Sequence, residues 1–221
     1  MATDLHTDER LPVNRLEAFS DGVFAIAATL LVLELSVHGD ASEHLLRSIL
    51  DEWPALLAFL TSFLTIGVIW LQHSAITGAL RTANTTLYRL NLVVLLLVSF
   101  LPFPTKLVSE YVGDREPERI AVIFYGLTLF MLALALSVFV RYAAEHHRLV
   151  LDQEEADAVE ATLVHQPSFL LYLVGIGIGI FLPTAGVAFY LAVALYLGIP
   201  ATTFRRLLRT DDGATTPSVR T

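Results

Sequence analysis

The sequence predicts an all-α, polytopic membrane protein with six transmembrane helices. Three observations lead there. Of the 221 residues, 55% are hydrophobic and 16% are charged; a soluble domain has about 45–50% apolar and about 25% charged residues. Mean hydropathy is +0.63. Six spans of about 20 residues need about 120 apolar residues, and 55% of 221 is about 121.

The charge-free windows define the spans in order. Residues 22–33 lie inside a longer apolar run, and a first span is expected over 15–37. Residues 53–80 supply a second, over 54–79. Residues 90–105 supply a third, over 86–108, flanked by Arg89 and Lys106, which can snorkel to the two interfaces. Residues 120–140 supply a fourth, over 119–143. The window 161–204 is too long for one span. Pro183, Thr184, Ala185 and Gly186 sit near its middle, and proline with glycine marks a turn. It divides into spans 166–183 and 186–206 joined by a tight hairpin. No internal repeat is seen.

Basic residues near the membrane set the orientation. With both termini inside, the inner segments carry Arg10, Arg15, Arg81, Arg89, Arg141, Arg148, Arg205, Arg206, Arg209 and Arg220. The outer segments carry Arg47, Lys106, Arg115 and Arg119. The expectation is a multi-pass protein of the cell membrane, embedded in the lipid bilayer, with both termini cytoplasmic. Residues 1–14 form the inner N-terminal segment, 15–208 the membrane domain, and 209–221 a disordered cytoplasmic tail. No signal peptide is apparent at the acidic N-terminus.

Composition also excludes functions. The chain has no cysteine, which removes disulfides, cysteine zinc sites, iron–sulfur clusters and thiol chemistry. A net charge of −8 argues against a nucleic-acid surface. The acidic excess falls in 4–9, 40–52 and 145–160, which read as solvated loops. His146 and His147 are adjacent and share no helix face. His38 and His44 lie with Asp40 and Glu43 in an acidic outer loop, read as solvated. No metal site and no cofactor are predicted, and no soluble protein partner. Gly175 and Gly179 have the spacing of a helix-packing pair. No lysine followed by serine or threonine makes Gly175, Gly177 and Gly179 a phosphate loop. There is no Gly-x-Ser-x-Gly, no His-Glu-x-x-His and no paired intramembrane carboxylate, so an enzyme is not expected.

The first span differs from the other five, which are mostly Leu, Val and Phe. It contains Arg15, Phe19, Ser20, Asp21, Gly22, Thr29 and Glu34. Asn14 with Glu17 has capping-box spacing, which predicts a helix starting near Arg15. Asp21 then lies about 9 Å along the axis, just inside the membrane. An ionisable group there is either functional or a paired structural group. The structural reading joins Arg15, Ser20 and Asp21 to polar groups of neighbouring helices, with Trp70, His73 and Asn91 as available partners. At about 100° per residue, Ile26, Leu30 and Leu33 form one stripe, about 10 Å long. Thr29 lies beside it, and Gly22 and Ala25 supply a small-residue edge. The stripe is open to a packing role or a pore-lining role. Glu34 lies off the stripe at the outer end, at the interface or attracting cations.

The combination of Arg15, Phe19, Ser20, Asp21 and Gly22 with the run from Ala27 to Leu33 resembles the signature of the TMEM175 family of potassium channels. Trp70 and His73, then Asn91 and Leu92, then Leu101, Pro102, Phe103, Pro104 and Thr105 extend the resemblance to about residue 105. The single six-helix unit resembles the prokaryotic members; animal members carry two units in one chain. The resemblance implies a passive potassium channel, a homotetramer whose central pore is lined by the first helix. It implies a constriction at Ile26 with further hydrophobic layers at Leu30 and Leu33, and a potassium-preferring layer at Thr29. It implies a structural cluster of Arg15, Phe19, Ser20, Asp21, Trp70, His73 and Asn91. The permeant ion is potassium, without a resident cofactor. The competing class is a proton-coupled or small-solute transporter using Asp21 and His73.

Overall fold

The computed structural model describes residues 12–35, 52–111, 115–145 and 168–198. Among the described residues, the regular elements forming the bundle are helices. They are α1 (Val13–Leu30), continued by a 3₁₀ turn (Leu31–Glu34), α2 (Trp53–Gly78), α3 (Thr85–Phe100), α4 (Pro102–Glu110), α5 (Arg115–Glu145), α6 (Ser168–Phe181) and α7 (Pro183–Gly198). Four segments are long and apolar enough to cross a membrane: Val13–Glu34, Trp53–Gly78, Thr85–Glu110 and Glu116–Glu145. The apolar helices α6 and α7 have 14 and 16 residues. These are the lengths of their described parts, since residues 146–167 and 199–221 on either side lie outside the described residues.

The entry to α1 differs from expectation. The helix begins at Val13, two residues before Arg15, and Pro12 precedes it in extended conformation (φ −71°, ψ 124°) with no side-chain cap. Asn14 therefore lies within the first turn and caps nothing. The entry is tied instead by a tertiary bond, in which the Tyr88 hydroxyl donates to the Pro12 carbonyl at 2.8 Å. No local pattern encodes that contact. At the start of α3 a side chain does cap: Asn84 Oδ1 accepts from Leu87 N at 2.9 Å, and its Nδ2 donates to the Tyr142 hydroxyl at 2.9 Å.

The expected third span is one broken rod. Pro102 and Pro104 carry no N–H, so two backbone bonds of the i to i−4 ladder are missing at the α3–α4 junction. Leu101 N bonds Val98 O at 3.2 Å instead, three residues back.

The two last helices do pack on each other across a tight connection, but the turn falls at Leu182, before the expected residues 183–186. Only Leu182 separates α6 from α7, and Pro183 opens α7 at a position where no N–H is needed. Gly186 lies inside α7. Its role is close approach, since a Cβ there would sit 3.0 Å from the Gly179 Cα. Gly175 packs against the Tyr190 and Phe189 rings and Gly179 against Val122, so this glycine pair serves helix packing.

The core is a single apolar cluster containing Leu16, Phe24, Leu31, Ile66, Leu87, Leu101, Tyr125, Leu132 and Tyr190. Helix α5 packs on α6, α3 and α4; α7 packs on α6 and α2; α1 packs on α3 and α2. Hydroxyls within the spans bond back to their own backbone, as in Thr61 to Leu57 O at 2.7 Å and Ser137 to Ala133 O at 2.8 Å. That satisfies them where no water is available. Among the four long segments the first is covered least. In the apolar window of Val13–Glu34, 28% of residues are buried, against 44%, 44% and 50% in the other long segments.

Candidate functional site: the open face of the first helix

Helix α1 divides along its length. Leu16, Ser20, Phe24 and Ala27 are buried and recur at helical spacing, and Leu31 continues that face. The other side carries Gly22, Ala25, Ile26, Thr29, Leu30 and Leu33, all exposed. Ile26 is 61% exposed and Leu33 72%. The stripe expected from periodicity is thus a surface that this chain leaves uncovered. An apolar surface of this length marks a lipid contact or a protein interface.

The 3₁₀ turn refines the stripe. In 3₁₀ geometry, residues i and i+3 eclipse, and the rise is about 2.0 Å per residue. Leu33 is therefore brought toward alignment with Leu30 on the same exposed side. The Thr29 hydroxyl donates to Ile26 O at 2.9 Å. Its hydrogen is committed to the helix, and the oxygen of this exposed residue keeps its capacity to accept. Glu34 is half-buried at the end of the turn.

The polar residues of the first helix meet α2 and α3 in two separate pairings. Trp70 Nε1 donates to Asp21 Oδ1 at 2.8 Å. Further inside, His73 Nε2 lies 2.7 Å from Asn91 Oδ1. Asn91 Nδ2 donates to Ser20 Oγ at 3.0 Å, and the Ser20 hydroxyl donates to Leu16 O at 2.7 Å. The carbonyl oxygen of Asn91 only accepts, so Nε2 of His73 carries the hydrogen in this arrangement. The His73 ring sits between Phe24 of α1 (5.4 Å between centroids) and Phe139 of α5 (5.2 Å, stacked). Ser20, His73 and Asn91 are all buried.

The expected cluster is therefore only partly assembled within one chain. Ser20, Asp21, Trp70, His73 and Asn91 are brought together. Arg15 and Phe19 face outward, and no hydrogen bond or ion pair joins Arg15 to another described residue. An open groove of about 410 Å³ runs between α1 and α2 beside the Asp21–Trp70 pair, over Phe24, Ala25, Ala28 and Phe63. Among the described residues, no group of three or more His, Asp or Glu side chains is placed to hold a metal ion.

Sequence reasoning missed a second polar cluster. Ser62 Oγ of α2 lies 2.7 Å from Thr105 Oγ1 of α4 and 2.8 Å from the Tyr125 hydroxyl of α5. The available signal was hydroxyl residues inside apolar windows. Glu118 is also buried, near the start of α5, and accepts from the Thr184 hydroxyl of α7 at 2.8 Å.

A family model described as the endosomal/lysosomal potassium channel TMEM175 matches residues 15–102. A potassium channel of Chamaesiphon minutus is 38% identical over 84% of this chain and 94% of its own length. The chain belongs to the TMEM175 family. A crystal structure of a lysosomal potassium-selective channel TMEM175 homologue from Chamaesiphon minutus superposes with a TM-score of 0.74 at 35% identity. It covers 84% of this chain and 95% of its own. The human endosomal/lysosomal proton channel TMEM175 is 29% identical over 92% of this chain, which spans 45% of the human protein. The TMEM175 match from Arg15 to Pro102 contains both the open stripe and the Ser20–Asn91–His73 cluster.

Proposed function

We propose that this protein is a passive, potassium-selective cation channel of the cell membrane, assembled as a homotetramer around a central pore lined by α1. The observation that carries the reading is the uncovered face of α1, with Ile26, Leu30 and Leu33 exposed beside an exposed Thr29. One helix cannot enclose a pore, so symmetric copies supply the wall. The bacterial relative and the solved homologue, both named as potassium channels, support the same reading. In this account α6 and α7 complete a six-span subunit, 15–208 is the channel domain, and both termini are cytoplasmic.

The mechanism follows from the side chains. A ring of Ile26, followed by rings of Leu30 and Leu33, gates by excluding water. Thr29 places hydroxyl oxygens between them, and their hydrogens are held by the backbone. These oxygens offer a dehydrating potassium ion acceptors without a net charge. Such a site discriminates less than a full cage of carbonyls.

A coupled transporter would use Asp21 and His73 as its proton or solute site. The two residues sit in separate hydrogen-bonded pairs, which favours structural roles for both. The test is recording from the reconstituted protein under opposing potassium and sodium gradients. The expected result is a reversal potential displaced toward potassium and a larger conductance in Ile26→Asn. Accumulation of solute against a gradient would instead support the transporter.

A further inference from the structure

The junction between α3 and α4 carries a device that the pore stripe does not explain. Pro102 and Pro104 remove two backbone donors there, and the helix is held across the gap by Thr105. The Thr105 amide and hydroxyl both donate to Leu101 O, at 3.2 and 2.8 Å. The same hydroxyl meets Ser62 Oγ at 2.7 Å, and Ser62 meets the Tyr125 hydroxyl at 2.8 Å. Ser62, Thr105 and Tyr125 are each at most 1% exposed. Three helices are thus joined by neutral hydroxyls where the rod is weakest.

Helix α4 is also the neighbour of the pore segment. It packs against the 3₁₀ turn that carries Leu33, as does α2. Leu31 of the turn, Leu101 of the junction and Val108 of α4 lie buried in the same apolar cluster. A displacement of α4 about its proline junction is therefore transmitted to the turn.

We propose that Thr105, through its bonds to Ser62 and Leu101, is a positioning residue for the outer end of the conduction path. The Ser62–Thr105–Tyr125 latch holds α4 in the setting that keeps Leu33 in its constricting position. Releasing the latch lets α4 tilt and the outer layer open, without changing the Thr29 oxygens. This rests on the channel reading.

The chain has no native cysteine, so Leu33→Cys is a clean reporter. The measurement is the rate at which a charged, water-soluble thiol reagent modifies Leu33→Cys in reconstituted tetramers, alone and combined with Thr105→Val. The expected result is a rate about tenfold higher in the combination, of the order set by one lost hydrogen bond. Thr105→Ser, which keeps the hydroxyl, returns the rate to within about twofold of the parent. The potassium-to-sodium permeability ratio stays unchanged. If Thr105→Val does not assemble, Ser62→Ala with Leu33→Cys carries the same test. An unchanged rate in well-assembled Thr105→Val or Ser62→Ala tetramers overturns the proposal. So does failure of Thr105→Ser to restore the rate. The thiol rate is read without ion flow, so a parent protein that passes no potassium overturns the channel reading separately.

Discussion

Replacing Asn91 with alanine removes one amide and strands its two partners unequally. Asn91 is 2% exposed, with Oδ1 2.7 Å from His73 Nε2 and Nδ2 3.0 Å from Ser20 Oγ. Ser20 keeps its bond to Leu16 O at 2.7 Å, so its loss is one neutral contact, about 1 kcal/mol. His73 is 1% exposed and packed between Phe24 and Phe139. Its Nε2–H cannot turn to water, and an orphaned buried donor costs about 1–3 kcal/mol. The sum is about 2–4 kcal/mol, at the lower end if the membrane-embedded unfolded state finds other partners. Reversible unfolding in mixed micelles, titrated with a denaturing detergent, measures it. The double variant Asn91→Ala with His73→Phe removes the stranded donor together with its partner. It recovers at least about 1 kcal/mol relative to the sum of the single variants. Asn91→Ala within about 0.5 kcal/mol of the parent, or strictly additive singles, refutes the reasoning.

Three further outcomes are expected. Gly126→Ala places a Cβ against the buried Tyr190 hydroxyl, an overpacking that costs about 1–3 kcal/mol in the same unfolding assay. Thr184→Val removes the hydroxyl that donates to buried Glu118. It lowers the thermal midpoint of the detergent-solubilised protein, by an amount equivalent to about 1–3 kcal/mol, while Thr184→Ser stays near the parent. Thr29→Ala loses only a bond to its own helix, so the fold is unchanged. Potassium preference, read from the bi-ionic reversal potential, falls toward that of a non-selective cation path.

The helices were largely legible from charge and periodicity, because a lipid-embedded backbone needs long uncharged windows. The second span, expected over 54–79, is Trp53–Gly78. The open stripe was legible for the same reason: Ile26, Leu30 and Leu33 obey the helical period whatever covers them. Other features depend on tertiary contact. The 3₁₀ turn has no local marker in Leu31–Glu34 and packs against α2 and α4. Pro102 and Pro104 were visible, but nothing in their spacing says that Thr105 bridges the break to Ser62. Scattered hydroxyls in apolar spans have no period to detect. The turn expected at Pro183–Gly186 lies earlier, because the proline opens α7 and the glycine serves close packing. The family resemblance groups Arg15 and Phe19 with Asp21, yet in the single chain both are exposed.

The most direct test of the account is the current carried by reconstituted Ile26→Cys during exposure to a charged thiol reagent. The parent chain has no thiol of its own, so the introduced one is the sole target. The account predicts a potassium current that falls progressively as that thiol is modified, because the reagent places charge and bulk in the path, and no such effect in the parent. Complete modification of Ile26→Cys with the current unchanged would contradict it.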